Sequence, residues 1–273
     1  MKALHCGGLK KIRPAARVPL MSDSLFGEEK MSILSRLANK IVRRLRKDVL
    51  PTPKTITYKG LKVPAVGPHI SVPLRNQLID GLYELPEITA AQALVKANDR
   101  ILELGTGLGV VSSLVSRTQI GVTVESYEAN ANLLPSIAAL HKINSITAVN
   151  VTNAVLVSGP SGTRTFFLHD SFAESSLHET PHMRDSVTVP ALNFNEVATR
   201  LRPDILLCDI EGGEADLFKD IDLSSFRALI IELHPGVISR QHIKQIYDTC
   251  AAAEFYPRVE LSSGQVVAFE RVT

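Results

Sequence analysis

The stretch Ile101-Leu-Glu103-Leu-Gly105-Thr-Gly107-Leu-Gly109 decides the fold. Residues 101–104 read as a short apolar strand, and residues 110–117 beyond the glycines read as a helix. A glycine-rich turn between strand and helix lets the backbone approach a ligand closely, and the helix offers unpaired N–H groups there. The spacing excludes a dinucleotide fingerprint, G-x-G-x-x-G. Counted from Gly105, the third glycine would fall on Val110; counted from Gly107, it would fall on Ser112. Glu103 points the same way, because a carboxylate just before the turn repels a pyrophosphate and suits a cation.

Working outward, strands and helices alternate. Helix 88–97 precedes the turn, strand 122–127 and helix 132–142 follow it, and 147–151 reads as a third strand. Residues 205–209 and 228–233 read as short apolar strands, as expected of strands buried on both faces. Helices are expected at 193–201, 212–221 and 240–253. Residues 255–261 and 265–271 form an antiparallel hairpin around Ser262-Ser-Gly264. Residues 158–167, with Gly159-Pro-Ser-Gly162, read as the turn of an inserted hairpin, and the polar stretch 168–186 reads as a long loop. The alternation predicts an α/β, doubly wound, mostly parallel sheet.

Two further strand ends carry acids. Glu128 lies 25 residues after Glu103, where a carboxylate can accept two hydrogen bonds from a ribose diol. Glu125 is mid-strand and of opposite parity, so it ranks lower. Asp209-Ile-Glu211-Gly-Gly-Glu214 packs three acids into six positions at another strand-to-helix turn. Like charges so close raise one another's pKa unless a cation, a donor or a helix N-terminus compensates.

Asp209-Ile-Glu211-Gly-Gly-Glu214, Ile230-Ile-Glu232-Leu-His234-Pro235, Tyr83-Glu84, Tyr127-Glu128-Ala-Asn130 and Ser171-Phe-Ala-Glu-Ser175-Ser176-Leu177 together resemble the FkbM family of methyltransferases. The resemblance spans roughly residues 73–270. Where the family usually has Pro after the second-strand acid, this chain has Ala129. It implies a class I methyltransferase fold, with a seven-stranded sheet and an antiparallel C-terminal hairpin. It also implies S-adenosylmethionine as methyl donor, held by Glu103, Gly105, Thr106, Gly107, Gly109, Glu128, Ala129 and Asn153. The acceptor is then a hydroxyl of a sugar, glycolipid or polyketide-like small molecule, lying over Asp209 and Glu211.

A hydroxyl nucleophile must lose its proton at or before transfer. Asp209, Glu211, His169 and His234 are the candidates for that chemistry, with Asp170, Ser175, Ser176 and Glu214 around the acceptor. The acids also offer oxygen ligands for a divalent cation as an alternative, but no metal is assigned. His178 and His182 are four apart, yet Pro181 between them argues against a helical metal pair.

The composition bounds the rest. Of 273 residues, 45% are hydrophobic and 21% charged, which excludes wholesale disorder and coiled coil. Cys6, Cys208 and Cys250 are odd in number and far apart, so neither a disulfide framework nor a zinc site is expected, and a cytoplasmic setting is. Residues 1–50 hold 12 Lys/Arg and 4 Asp/Glu, a net +8 that leaves −6 for the remainder of a chain of net +2. An acidic body argues against nucleic acid as partner. Residues 1–30 lack periodicity and are expected to be disordered. Residues 31–47 read as a basic amphipathic helix, packed on the domain edge or touching a membrane surface. The expected division is an extension over 1–50, a lead-in over 51–90 and the methyltransferase domain over 91–273. The rival to an enzyme is a non-catalytic nucleotide- or partner-binding protein on the same fold.

Overall fold

A computed structural model describes residues 53–169, 175–177, 183 and 185–272, all within one unit, Arg43–Thr273. The basic stretches 1–30 and 31–47, Cys6, Asp170, His178 and His182 lie outside the described residues. Among those described, no helix is long and apolar enough to cross a membrane.

The main sheet has seven strands in the order β11-β12-β10-β9-β3-β4-β5. These are β3 (Arg100–Leu104), β4 (Thr123–Glu128), β5 (Val149–Asn153), β9 (Ile205–Cys208), β10 (Ala228–Glu232), β11 (Phe255–Pro257) and β12 (Val266–Arg271). Strands β3, β4, β5, β9 and β10 are parallel, and β12 runs antiparallel to both β10 and β11. This is the doubly wound sheet with a terminal hairpin that the alternation and the resemblance imply.

Side-chain alternation divides the core between the two faces. Ile101, Val124, Ile205, Leu207 and Ile230 point to one side. There they meet α2 (Leu85–Leu94), α3 (Val110–Val115) and α4 (Leu134–Asn144). Leu102, Leu104, Leu206, Leu229 and Ile231 point to the other, against α5 (Phe194–Leu201), α6 (Glu214–Leu217) and α7 (Arg240–Ala252). The lead-in joins the first face. Helix α1 (Val72–Asp80) is capped by the Ser71 hydroxyl, which accepts from the Leu74 N–H. The hairpin of β1 (Thr55–Tyr58) and β2 (Leu61–Pro64) buries Tyr58, Leu61 and Val63 in the same cluster.

Two local readings are corrected. The Gly159–Gly162 turn does not close a hairpin. It joins β6 (Val155–Val157) to β7 (Gly162–Leu168), and both pair instead with β8 (Asp185–Asn193), which lies between them. Strand β8 hides in the sequence because Pro190 reads as a breaker. The β6 ladder begins only at Ala191, so the proline sits where one edge is still open. Helix α6 has four residues rather than ten: left-handed Glu211 (φ 52) and Gly212 (φ 97) keep it from beginning before Glu214, and it ends at Phe218, whose ψ of 5° leaves the helical range.

Candidate active site

The parallel strands end along one edge, and their terminal carboxylates gather there. The register aligns Leu104 with both Tyr127 and Cys208, and Glu128 with Asn153. Glu103, Glu128, Asp209 and Glu232 therefore converge from four strands at the edge where ligands bind in open α/β sheets.

The glycine turn is built by close approach. The Gly105 N–H donates to the Tyr127 carbonyl, and the Asp209 N–H donates to the Leu104 carbonyl. A Cβ on Gly105 would lie 1.7 Å from the Asp209 carbonyl oxygen, and its φ is +86°. Gly105→Ala is expected to cost at least about 2 kcal/mol. A melting temperature lowered by roughly 4–8 °C in thermal denaturation checks this. Gly109 has a different duty: it begins α3, and a Cβ there would meet Ile137 of α4 at 3.0 Å.

Glu128 organises the turn. Its Oε2 accepts the Gly107 N–H at 2.9 Å and its Oε1 the Asn130 N–H at 2.7 Å. Each oxygen retains a second lone pair for a ligand. Burial pushes its carboxyl up to about 7 against the opposing pull of these backbone donors. Asn153 clamps the same loop from β5, its amide donating to the carbonyls of Glu128 and Ala129. Thr106 is turned inward, its hydroxyl 2.6 Å from that of Ser126, which in turn donates to Glu103. Glu103 is 2% exposed, and burial raises it to about 7 despite help from Ser126 and Ser112.

Two cavities flank Gly105. One has mostly apolar walls, including Tyr127, Ala129, Ala154, Leu156, Phe166 and Leu177, with Glu128 among its lining. The other is lined by Glu84, Glu87, Glu103 and Asp209. Burial lifts Glu84 to about 8 and Glu87 to about 7. Glu84 is held with φ 44° at the start of α2, beside Tyr83. Sequence reasoning assigned no site role to Glu84, Glu87 or Glu232. The signal for two of them was present, since Tyr83-Glu84 and Ile230-Ile-Glu232 belong to the motifs that carry the resemblance.

Beyond the turn, His234 follows β10 and is 8% exposed. Its Nδ1 lies 3.0 Å from Glu214 Oε1, and its Nε2 lies 3.3 Å from Glu211 Oε2 and 3.5 Å from Asp209 Oδ1. Burial alone would lower the imidazole, but the Glu214 contact and the charges of Glu211 and Glu232 raise it. Asp209 is raised well above the ordinary carboxylate range by burial first, then by Glu232, Glu211, Glu84 and Glu214. About a third of its side chain (34%) faces the crevice, yet Oδ1 is buried without a hydrogen-bond partner.

The residues expected around an acceptor are placed as follows. Glu214 is completely buried behind His234, its Oε1 also accepting the Ile210 N–H, so it acts through the histidine rather than on a ligand. Ser175 accepts the His169 N–H, and the Ser176 hydroxyl donates to the Glu211 carbonyl. Ser176 also bridges to Phe167 of β7, so the two serines tie the second sheet to the acid turn.

Residues 95–253 match the methyltransferase FkbM domain. The chain belongs to the FkbM methyltransferase family. By family, it is a methyltransferase. The FkbM domain contains the glycine turn, Glu128 and the whole Asp209–His234 group, while Glu84 and Glu87 precede it. No curated protein matches the chain. Solved structures similar to it include ribosomal protein L11 methylase from Lactobacillus delbrueckii subsp. bulgaricus. That pair is 10% identical, covers 69% of this chain and 78% of the other, and has a TM-score of 0.41. Precorrin-6y C5,15-methyltransferase from Geobacter metallireducens GS-15 is 11% identical, with 70% of this chain and 89% of the other covered, and a TM-score of 0.40.

Proposed function

We propose that this FkbM methyltransferase uses S-adenosylmethionine to methylate a hydroxyl of a small-molecule acceptor, of the sugar, glycolipid or polyketide class. The observation that carries the reading is the pair of cavities on either side of Gly105. An apolar slot with a carboxylate in its lining suits an adenine and its ribose diol. A pocket with four carboxylates in its lining suits a ligand end that carries positive charge. A dinucleotide, with two phosphates at the turn, would be repelled there.

Glu128 would hold the ribose hydroxyls through its remaining lone pairs, and Glu103 and Glu84 would face the cationic end. Bound there, S-adenosylmethionine supplies an electrophilic methyl carbon on a sulfonium. The donor would pass its methyl to the acceptor oxygen and keep the C–S electron pair on sulfur. The hydroxyl proton passes to the acid group of Asp209, Glu211 and His234. Alignment of the two reactants supplies much of the rate, up to about 7–11 kcal/mol for well-oriented pairs.

Calorimetric titration of the purified protein with S-adenosylmethionine, beside NAD, tests the reading. Micromolar binding of the first and none of the second is expected. Binding of NAD in preference would overturn it. An acceptor screen read by S-adenosylhomocysteine release then separates an enzyme from a binding protein.

Ionisation of Glu103 and Glu128 adds a pH signature. Glu103 faces Ser126 of β4 and Ser112 of α3, with Glu128 and Glu84 as neighbouring charges. Both acids are raised in the fold to about 7, so the folded protein binds more protons than the unfolded chain between roughly pH 4.5 and 7. The contribution of these two acids to the stability of the free protein is therefore full below that window and is lost as pH rises through it. A cationic ligand favours the ionised acids. Its affinity should climb between pH 6 and 8, with proton release seen as a buffer-dependent binding enthalpy. An affinity flat across that range would remove Glu103 from the cationic subsite and uncouple the ionisation of Glu128 from ligand binding.

A further inference from the structure

We propose that the cleft between the second sheet and α6 binds a small organic anion, a phosphate or carboxylate on an apolar body, with Arg164 as its anchor. The cleft holds about 460 Å³, within the range of small-molecule sites. Leu156 and Val157 of β6, Leu177 and Leu217 of α6 give it apolar walls. Arg164 and Thr165 of β7 and Lys219 beyond α6 bring polar groups to the same space. Apolar walls with a few polar groups suit a ligand that has an apolar part and one charged end. The walls are fixed by the fold. The Ser158 hydroxyl donates to the Asp216 carbonyl at 3.0 Å, and the Asn193 amide donates to the Gly159 carbonyl at 2.9 Å.

Arg164 carries the argument. It is half-buried within β7. Among the described residues it makes no ion pair, and its guanidinium donates only to the carbonyl of its own neighbour, Thr163, from Nη1 at 2.9 Å. Nε and Nη2 have no protein partner there. A guanidinium's planar fork matches a carboxylate or a phosphate in two parallel hydrogen bonds. Lys219 is different. Its ammonium is held by Asp216 at 2.5 Å, and the two side chains are 53% and 59% exposed, so this pair is solvated and brings no net charge. The charge offered to the cleft is therefore that of Arg164, a positive lining on an otherwise acidic body.

Leu156 and Leu177 line both this cleft and the apolar slot beside Gly105, and Gly213 of its lining belongs to the acid turn. The cleft therefore adjoins the site of the proposed reaction without being part of it. Two sources of the anion fit that place: an acidic group on the acceptor itself, or a separate acidic effector. An acceptor source rests on the methyl-transfer reading above; the anion site does not.

Calorimetric titration of the full-length protein with 1-naphthyl phosphate, beside uncharged 1-naphthol, tests the site. Micromolar binding of the phosphate is expected, with the naphthol about tenfold weaker or more, the scale of a hydrogen bond to a charged group. Arg164→Gln should weaken the phosphate by a similar factor. Gly159→Asp should do the same with Arg164 in place: a Cβ there lies 3.7 Å from Arg164 Nη2, so the new carboxylate takes the guanidinium for itself. Lys244→Gln, in the exposed α7 pair with Asp248, should leave binding unchanged. Circular dichroism checks that the variants stay folded. Equal affinity for phosphate and naphthol, equal affinity of wild type and both cleft variants, or binding only in the millimolar range would overturn the proposal. The source of the anion follows from an acceptor found by screening. A KM raised by Arg164→Gln at unchanged kcat assigns the anion to the acceptor; an unchanged KM with phosphate binding lost assigns it to an effector, and either result keeps the site. S-adenosylmethionine titration of the same samples separates this proposal from the cofactor reading. Cofactor binding without phosphate binding removes the cleft and leaves methyl transfer; the reverse keeps the cleft and removes the cofactor assignment.

Discussion

Asp209→Asn is expected to stabilise the folded protein and to lower turnover by about 100-fold or more. Asp209 sits among Glu232, Glu211, Glu84 and Glu214, and burial and those charges together raise its carboxyl well above the ordinary range. Near neutral pH the fold therefore pays for a carboxylate that it would rather keep protonated. Asparagine has the same shape and no charge, so the melting temperature should rise, by the equivalent of about 1 kcal/mol, the usual scale for relieving functional strain. The sign follows from the raised pKa: the gain is full at neutral pH and vanishes below about pH 4, where the unfolded aspartate is protonated too. Activity moves the opposite way. The substitution removes a proton-accepting oxygen from the acceptor side of the proposed site, and positioned acid–base groups are worth about 100- to 10,000-fold. Differential scanning fluorimetry at two pH values checks the first half. S-adenosylhomocysteine release with the acceptor found by screening checks the second. A variant of unchanged turnover would take Asp209 out of the reaction, and one of lowered stability would show that its charge is compensated.

Glu128→Gln is expected to weaken S-adenosylmethionine binding by about 10- to 100-fold, with little change in fold. Both Glu128 oxygens accept backbone N–H groups, from Gly107 and from Asn130. Glutamine has one oxygen and one NH2, so one of those N–H groups must face a donor instead of an acceptor. Each hydrogen bond to a charged group contributes about 1.5–3 kcal/mol, and the substitution removes one such bond to the loop and weakens those to the ribose. Calorimetry on the variant reads the loss directly. Asn153 still clamps the loop through the carbonyls of Glu128 and Ala129, which is why the fold should survive. Unchanged affinity would place the ribose elsewhere than beside Glu128.

These two expectations rest on different kinds of knowledge. Glu128 was legible in the sequence, because an acid at the end of a strand that follows a glycine turn has only a short path to that turn. Burial of the central strands on both faces was legible too, because 101–104, 205–208 and 228–232 are largely apolar on both parities, and only a sheet covered on both faces hides such runs; their order came only with the family resemblance. Strand β8 was not legible. Its partners β6 and β7 lie on either side of it, and pairing across a polar loop leaves no local trace beyond an alternation that Pro190 interrupts. Helix α6 was over-read, because left-handed geometry at Glu211 comes from where the chain must turn and not from the residue type.

By itself, then, the sequence determined the α/β class, the glycine turn and the acids at the strand ends, because each is written in periodicity or in spacing within a few residues. Only the tertiary structure decided that Glu84 and Glu87 share a pocket with Glu103 and Asp209, that Glu214 stands behind His234, and that Glu232 joins Asp209 beside it. Those residues lie as far as 125 positions apart along the chain. Their meeting follows from sheet register and crossover packing, which are set by burial of the whole core and leave no mark at the positions themselves.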